Sequence, residues 1–175
     1  EHLINIIDKD QPSLSINSPA AVNEGSSIAF TVTLNTAAFQ TVSVDWSLQL
    51  ISVDVNSVAA VSGVDIQASP VNGTLNFLAG EVSKTVTINT LANAGICELD
   101  KAFKMILANP VGATMAVPEG IGRILDVDLP IVKLATDVSV NENQAAGLSV
   151  AIDPVCPTKD VTVKYSTIDD SSVAG

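Results

Sequence analysis

The stretch Ser27-Ile28-Ala29-Phe30-Thr31-Val32-Thr33-Leu34 decides how the chain is read. Ile28, Phe30, Val32 and Leu34 fall on one side of an extended backbone, with Ser, Ala and Thr on the other. Alternation of period two is the mark of a strand with one buried face. Working outward, Thr41 to Ser47 alternates in the same way and sets Val42, Val44 and Trp46 together. Asn72-Gly73 opens a strand in which Leu75 and Phe77 share a face. Ala79-Gly80 turns the chain into Val82-Ser83-Lys84-Thr85-Val86-Thr87-Ile88, Lys101 to Leu107 points Phe103, Met105 and Leu107 one way, and Gly122 to Val127 closes the series. Short alternating runs separated by Gly, Pro, Asn and Ser predict an all-β chain folded as an antiparallel Greek-key sandwich of immunoglobulin-like type. No segment carries a capped helical period.

Composition agrees. The chain of 175 residues is 47% hydrophobic but only 3% aromatic, and Val, Ile, Thr, Ser and Ala carry it. Such residues suit pleated, half-buried strands. A net charge of −11, from 19 acidic and 8 basic residues, argues against a nucleic-acid partner, which needs clustered Lys and Arg. No apolar run approaches the roughly 18 residues that cross a bilayer. Glu1-His2 opens the chain without the basic region of a signal peptide, which in a piece of a longer protein says little about export.

The sequence also repeats itself at a period of about 118 residues. Ile6-Ile7-Asp8-Lys9-Asp10 returns as Ile124-Leu125-Asp126-Val127-Asp128, and Val22-Asn23-Glu24 as Val140-Asn141-Glu142. Val42-Ser43-Val44-Asp45-Trp46-Ser47 returns as Val161-Thr162-Val163-Lys164-Tyr165-Ser166. Residues 1–11 are therefore expected to be the terminal strand of a preceding module, 12–129 a complete sandwich, and 130–175 the start of a following, truncated module. The connectors Asp8-Lys9-Asp10-Gln11-Pro12 and Asp126-Val127-Asp128-Leu129-Pro130 are short and carry proline, which predicts modules stacked end to end with little bending.

The order of the motifs resembles that of a Calx-beta domain. Asn23-Glu24-Gly25, Gly63-Val64-Asp65-Ile66 and Gly73-Thr74-Leu75-Asn76-Phe77-Leu78-Ala79-Gly80-Glu81 carry the likeness. Lys84-Thr85-Val86-Thr87-Ile88, Glu98-Leu99-Asp100-Lys101-Ala102-Phe103 and Ile124-Leu125-Asp126-Val127-Asp128 continue it, over roughly residues 12 to 128 and again from Pro130 to Thr167. The resemblance implies a seven-stranded sandwich that often binds calcium at one end. It brings Glu24, Asp65, Glu98, Asp100, Asp126 and Asp128 to that end, and calcium takes hard oxygen ligands of this kind. Two departures weaken the implied site. The family's Asp-Asp pair falls on Asn93-Ala94, and an acidic position is Lys101, whose ammonium opposes a cation. One weak calcium site is expected; the other reading is that these acids solvate a loop end or cap turns.

Cys97 and Cys156 allow a single pairing. On the implied topology Cys97 lies in the loop before the strand at Lys101 and Cys156 in a loop of the next module, both at one junction. Either they form an inter-module disulfide or they are separate thiols. Trp46 and Tyr165 hold matched positions and are expected in or near the core, a sugar-stacking platform being the lesser reading. Leu48 to Ser62 carries extra apolar residues, to be either an exposed contact loop or a hairpin packed on its own module. Asn72-Gly73-Thr74 fits a glycosylation acceptor or simply a turn before a strand.

Nothing points to an enzyme. His2 is the sole histidine, and no nucleophile elbow, phosphate loop or zinc-spaced Cys/His set occurs. The sequence reads as a structural or adhesive repeat of an extracellular or cell-surface protein or fibre. Its partners are neighbouring modules of the same chain, with self-assembly through exposed edge strands as a further route. The alternative is a calcium-sensing regulatory module of a membrane transporter, against which Asn93-Ala94 counts.

Overall fold

A computed structural model describes residues 10–134, 138–141, 143–153 and 160–166. The strand expected over Leu3 to Ile7 lies outside these residues, as does Cys156. Two sheets face each other. One is four-stranded, in the order β7 (Ser83–Asn89), β3 (Ser27–Leu34), β1 (Ser13–Ile16), β9 (Thr114–Val117). The other is six-stranded, in the order β2 (Val22–Asn23), β10 (Glu119–Leu125), β8 (Lys101–Val111), β4 (Val42–Gln49), β6 (Asn72–Phe77), with β5 (Val58–Ala59) also on β8. Among the described residues there is no helix, and so none long and apolar enough to cross a membrane.

The alternation read from the sequence is the burial seen. Ile28, Phe30, Val32 and Leu34 of β3 and Val42, Val44 and Trp46 of β4 are all buried. Phe30 from one sheet meets Phe103 from the other with ring centroids 5.9 Å apart and planes at 59°, the tilted packing that aromatic quadrupoles favour. Gly122 faces Phe103 from the neighbouring strand, where a Cβ would stand 2.7 Å from the ring. Glycine there makes room for the phenylalanine at the centre of the core.

The sheets are not purely antiparallel. β1 pairs with β9, β2 with β10, and β5 with β8 in parallel. The first two pairings have one cause: the opening segment divides between the sheets, and the closing segment runs beside it in the same direction. A chain whose first and last strands are parallel enters the sandwich at one end and leaves at the other.

The third pairing answers the question of the apolar segment. β4 runs alongside β8 from Ser43 opposite Val111 to Gln49 opposite Lys104. Beyond it β5 takes the place next to Lys101 and Ala102. Leu48 and Leu50 pack on the core and Ala60 is buried. Ser57 and Arg123 hold Asp54 at 3.0 and 2.5 Å. The segment is thus packed on its own module, as one short parallel strand and not as a hairpin, with its tip at Val55 fully exposed and Val61 half-exposed.

After Pro130 the described residues contain one antiparallel pair, β11 (Ile131–Leu134) with β12 (Val150–Asp153). Tyr165, expected in or near a core, is 93% exposed whereas Trp46 is 7% exposed. The difference follows from what surrounds them, since the described residues after Pro130 include no second sheet to cover Tyr165.

Candidate functional site

β3 begins at Ser27 and β8 at Lys101, so the β2–β3 turn, the loop closed at residues 61–66, the β7–β8 loop and the exit from β10 gather at one end. All six acids named from the sequence stand there. They do not form one cluster. Among the described residues, carboxylate oxygens of Glu24, Asp126 and Asp128 come within 4.8 Å of one another, and only these three do so.

Each of the three is held by backbone. Glu24 stands just before the turn at Gly25, whose φ of +74° suits glycine, and its Oε2 accepts the Asn93 N–H at 3.2 Å. Asp126 accepts the Glu98 N–H at 2.9 Å on Oδ2 and the Asp128 N–H at 3.0 Å on Oδ1. Asp128 in turn accepts the Ile96 N–H at 3.3 Å. Burial raises the Glu24 carboxyl above its ordinary value, and the charges of Asp128 and Asp126 push the same way. Hydrogen bonds from Asn93 and Val127 partly oppose them.

The other three acids are engaged elsewhere. Asp65 is buried, its Oδ2 accepts the Val61 N–H at 2.7 Å, and its Oδ1 stands 4.0 Å from Lys101 Nζ. Glu98 takes the Lys101 ammonium at 2.8 Å on one oxygen and the Asn93 amide at 2.6 Å on the other. Asp100 accepts the Asp126 N–H at 3.1 Å and so props the exit strand. Lys101 is therefore an internal counter-ion for Asp65 and Glu98, and the acids in part cap turns.

Asn93 has a role that the motif comparison missed, where it counted only as a lost ligand. Its backbone serves Glu24 and its amide nitrogen serves Glu98, so it joins the two groups of acids. Its Oδ1 is buried and accepts no hydrogen bond from the protein. The loop carried no alternation or capping pattern from which this bridging could be read. Between Glu24, Asp65, Glu98, Lys101 and Asp126 lies a cavity of about 10 Å³, at the lower limit for one water-sized occupant.

Calcium–oxygen bonds of about 2.3–2.6 Å allow two ligands of one ion to be up to about 5 Å apart, so the Glu24–Asp126–Asp128 spacing fits a shared cation. The orphaned Asn93 oxygen is a further hard donor of the right chemistry. Three carboxylates fall short of a full calcium shell. The neighbouring ammonium also lowers the local negative potential.

No protein-family model matches the chain, and no curated protein matches it in sequence. Among solved structures it is similar to a non-cellulosomal cohesin from the hyperthermophilic archaeon Archaeoglobus fulgidus, at 18% identity over 65% of this chain and 91% of that one, with a TM-score of 0.37. It is also similar to a two-domain protein of unknown function from Bacteroides fragilis, at 10% identity over 72% of this chain and 46% of that one, with a TM-score of 0.34. The class is an all-β sandwich, and neither neighbour lends it a partner or an activity. The Calx-beta resemblance rests on the order of its motifs.

Proposed function

We propose that the chain is a segment of a tandem array of Calx-beta-like sandwiches, a structural or adhesive spacer at the outside of a cell with a weak calcium site where each module hands over to the next. One observation carries the reading: the connector leaves β10 pinned to its own module. The Asp126 N–H is bonded to Asp100, its carboxylate takes the N–H groups of Glu98 and Asp128, and Asp128 takes that of Ile96. A connector tied down in this way fixes the direction in which the chain departs.

The register of the following strands supports the array. In β1 and β3, Leu14 pairs with Leu34, Ser15 with Thr33 and Ile16 with Val32. In β11 and β12, Val132 pairs with Ile152, Lys133 with Ala151 and Leu134 with Val150. Every partner has moved by the same offset of about 118 residues that the sequence repeats at. Cys97 is buried in the β7–β8 loop at the handover, and a bridge to Cys156 belongs to the same proposal.

In this reading Glu24, Asp126 and Asp128 hold the ion, with Asn93 Oδ1 as an added donor. Bound calcium supplies positive charge that offsets repulsion among the three carboxylates and ties the β2–β3 turn to the exit strand. Calorimetry is expected to give one site with a dissociation constant of about 10⁻⁴–10⁻³ M, the range of extracellular modules. Small-angle scattering is expected to show an elongated particle that stiffens in calcium. Cooperative binding below the micromolar range would reverse the choice in favour of a sensor, and a particle with freely jointed parts would end the spacer reading.

A further inference from the structure

At the end of the sandwich opposite the acids, a groove of about 470 Å³ opens between the segment leading into β1, the β3–β4 loop and the β8–β9 turn. Asp10, Pro12, Ala38, Phe39 and Gly112 are among the residues lining it. The Phe39 ring is 91% exposed. A single exposed apolar side chain needs no explanation. Here the repeat supplies one.

The geometry points to this groove as the seat of the β7–β8 loop of the module that precedes in the array, whose apolar tip packs on Phe39. The inference rests on the array reading and names the partner surface for it. Asp10 is the link. It stands one repeat before Asp128, and Asp128 accepts the N–H of Ile96 at the tip of the β7–β8 loop. By the repeat, Asp10 receives the same N–H from the preceding module, and Asp10 also lines the groove. One residue thus belongs both to the resting place of that loop and to the wall of the groove. Ile96 is 53% exposed and is the side chain that the preceding copy offers to Phe39.

The cysteines select the same two loops independently. Cys97 adjoins Ile96, and Cys156 stands one repeat after Ala38. The bridge proposed at the following junction therefore joins the two positions that the groove brings together at the preceding one.

The test uses the chain with a copy of residues 12–125 in place of residues 1–7, so that the added module keeps its own Gly120 and Gly122 and hands over through Asp8, Lys9 and Asp10 to Pro12. Hydroxyl-radical oxidation of Phe39 is expected to fall at least about fivefold relative to the 175-residue chain, as burial at an interface core requires. In the extended chain Ala38→Cys is expected to form a disulfide with Cys97 of the added module, while Thr87→Cys on the outer face of β7 stays a free thiol. Unchanged oxidation of Phe39 together with a free thiol at position 38 overturns the inference. If scattering then still shows an elongated particle, the groove assignment alone has failed. If it shows freely jointed modules, the array reading has failed with it.

Discussion

Replacing Lys101 by methionine tests the electrostatics of the acidic end most directly. Its ammonium lies 2.8 Å from Glu98 and 4.0 Å from Asp65, with side chains 15%, 28% and 5% exposed respectively. At 4 Å and an effective dielectric of 20, a unit pair is worth about 4 kcal/mol before desolvation. Breaking a buried pair by removing one partner costs about 3–5 kcal/mol. Two features reduce that figure. Glu98 keeps its bond from the Asn93 amide, and methionine preserves most of the apolar stem. A loss of about 2–3 kcal/mol remains, most of it from Asp65. For a sandwich of this size that is a drop of about 10 °C in Tm. The same change removes a positive charge beside the proposed ion, which should tighten calcium about tenfold. Thermal melts by circular dichroism are therefore expected to show a large drop in chelator and recovery of several degrees in millimolar calcium, with a smaller calcium effect on the parent. A variant that melts within about 2 °C of the parent in chelator would refute the counter-ion role. An identical calcium response in both proteins would show that the acids and the ion share no field.

Burial, then the charges of Asp128 and Asp126, hold Glu24 above its ordinary value of 4.5, so the folded state binds that proton more tightly than the unfolded chain. Its contribution to stability thus falls as pH rises from about 4.5 through the folded value, and Glu24→Gln should raise Tm at neutral pH in chelator by a degree or two while abolishing the calcium response. A Cβ at Gly120 would run into the Asn17 carbonyl oxygen, whereas one at Gly122 meets the Phe103 ring, which can shift. Both alanine variants are expected to lose about 1–3 kcal/mol in urea unfolding, with Gly120→Ala the worse. Peptide mapping without reductant should recover Cys97 and Cys156 in one linked fragment; two alkylated thiols would remove the bridge from the proposal.

The strands that were legible are those with one wet face. In β3 and β4 every second residue is apolar because the other face meets water, so a single sequence gives their positions and their inward side. β1, β2 and β9 were not read as strands. They are two to four residues long; β2 and β9 pair with strands about a hundred residues away, and β1 joins β3 to β9 across that same distance, which no local pattern encodes. The acidic end was legible as a gathering, since strand order alone sends those loops to one end. Which acids converge was not. Asp65 turns back to close its own loop on Val61, Glu98 is taken by Lys101, and Asp100 caps the Asp126 amide. Each of these is a choice of side-chain rotamer and reach, settled only by packing in three dimensions.

The parallel pairing of opening and closing strands bears on how stiffness would arise in such an array. It makes the chain leave at the end opposite its entry, so in the proposed array each added module would extend the molecule instead of folding it back. Direction alone does not make a rod, because a short connector can still swivel about its own bonds. In this protein the swivel is opposed first by carboxylates bonded to backbone N–H groups across Asp100, Asp126, Asp128 and Ile96. Such charge-assisted bonds are short-ranged and directional, and they resist rotation better than an apolar contact of equal energy. They also leave several negative charges together at the handover. On the proposed calcium-bearing array, the end that fixes the connector is also the end that would take the cation, and stiffness and calcium response should then rise and fall together across substitutions at Asp126 and Asp128.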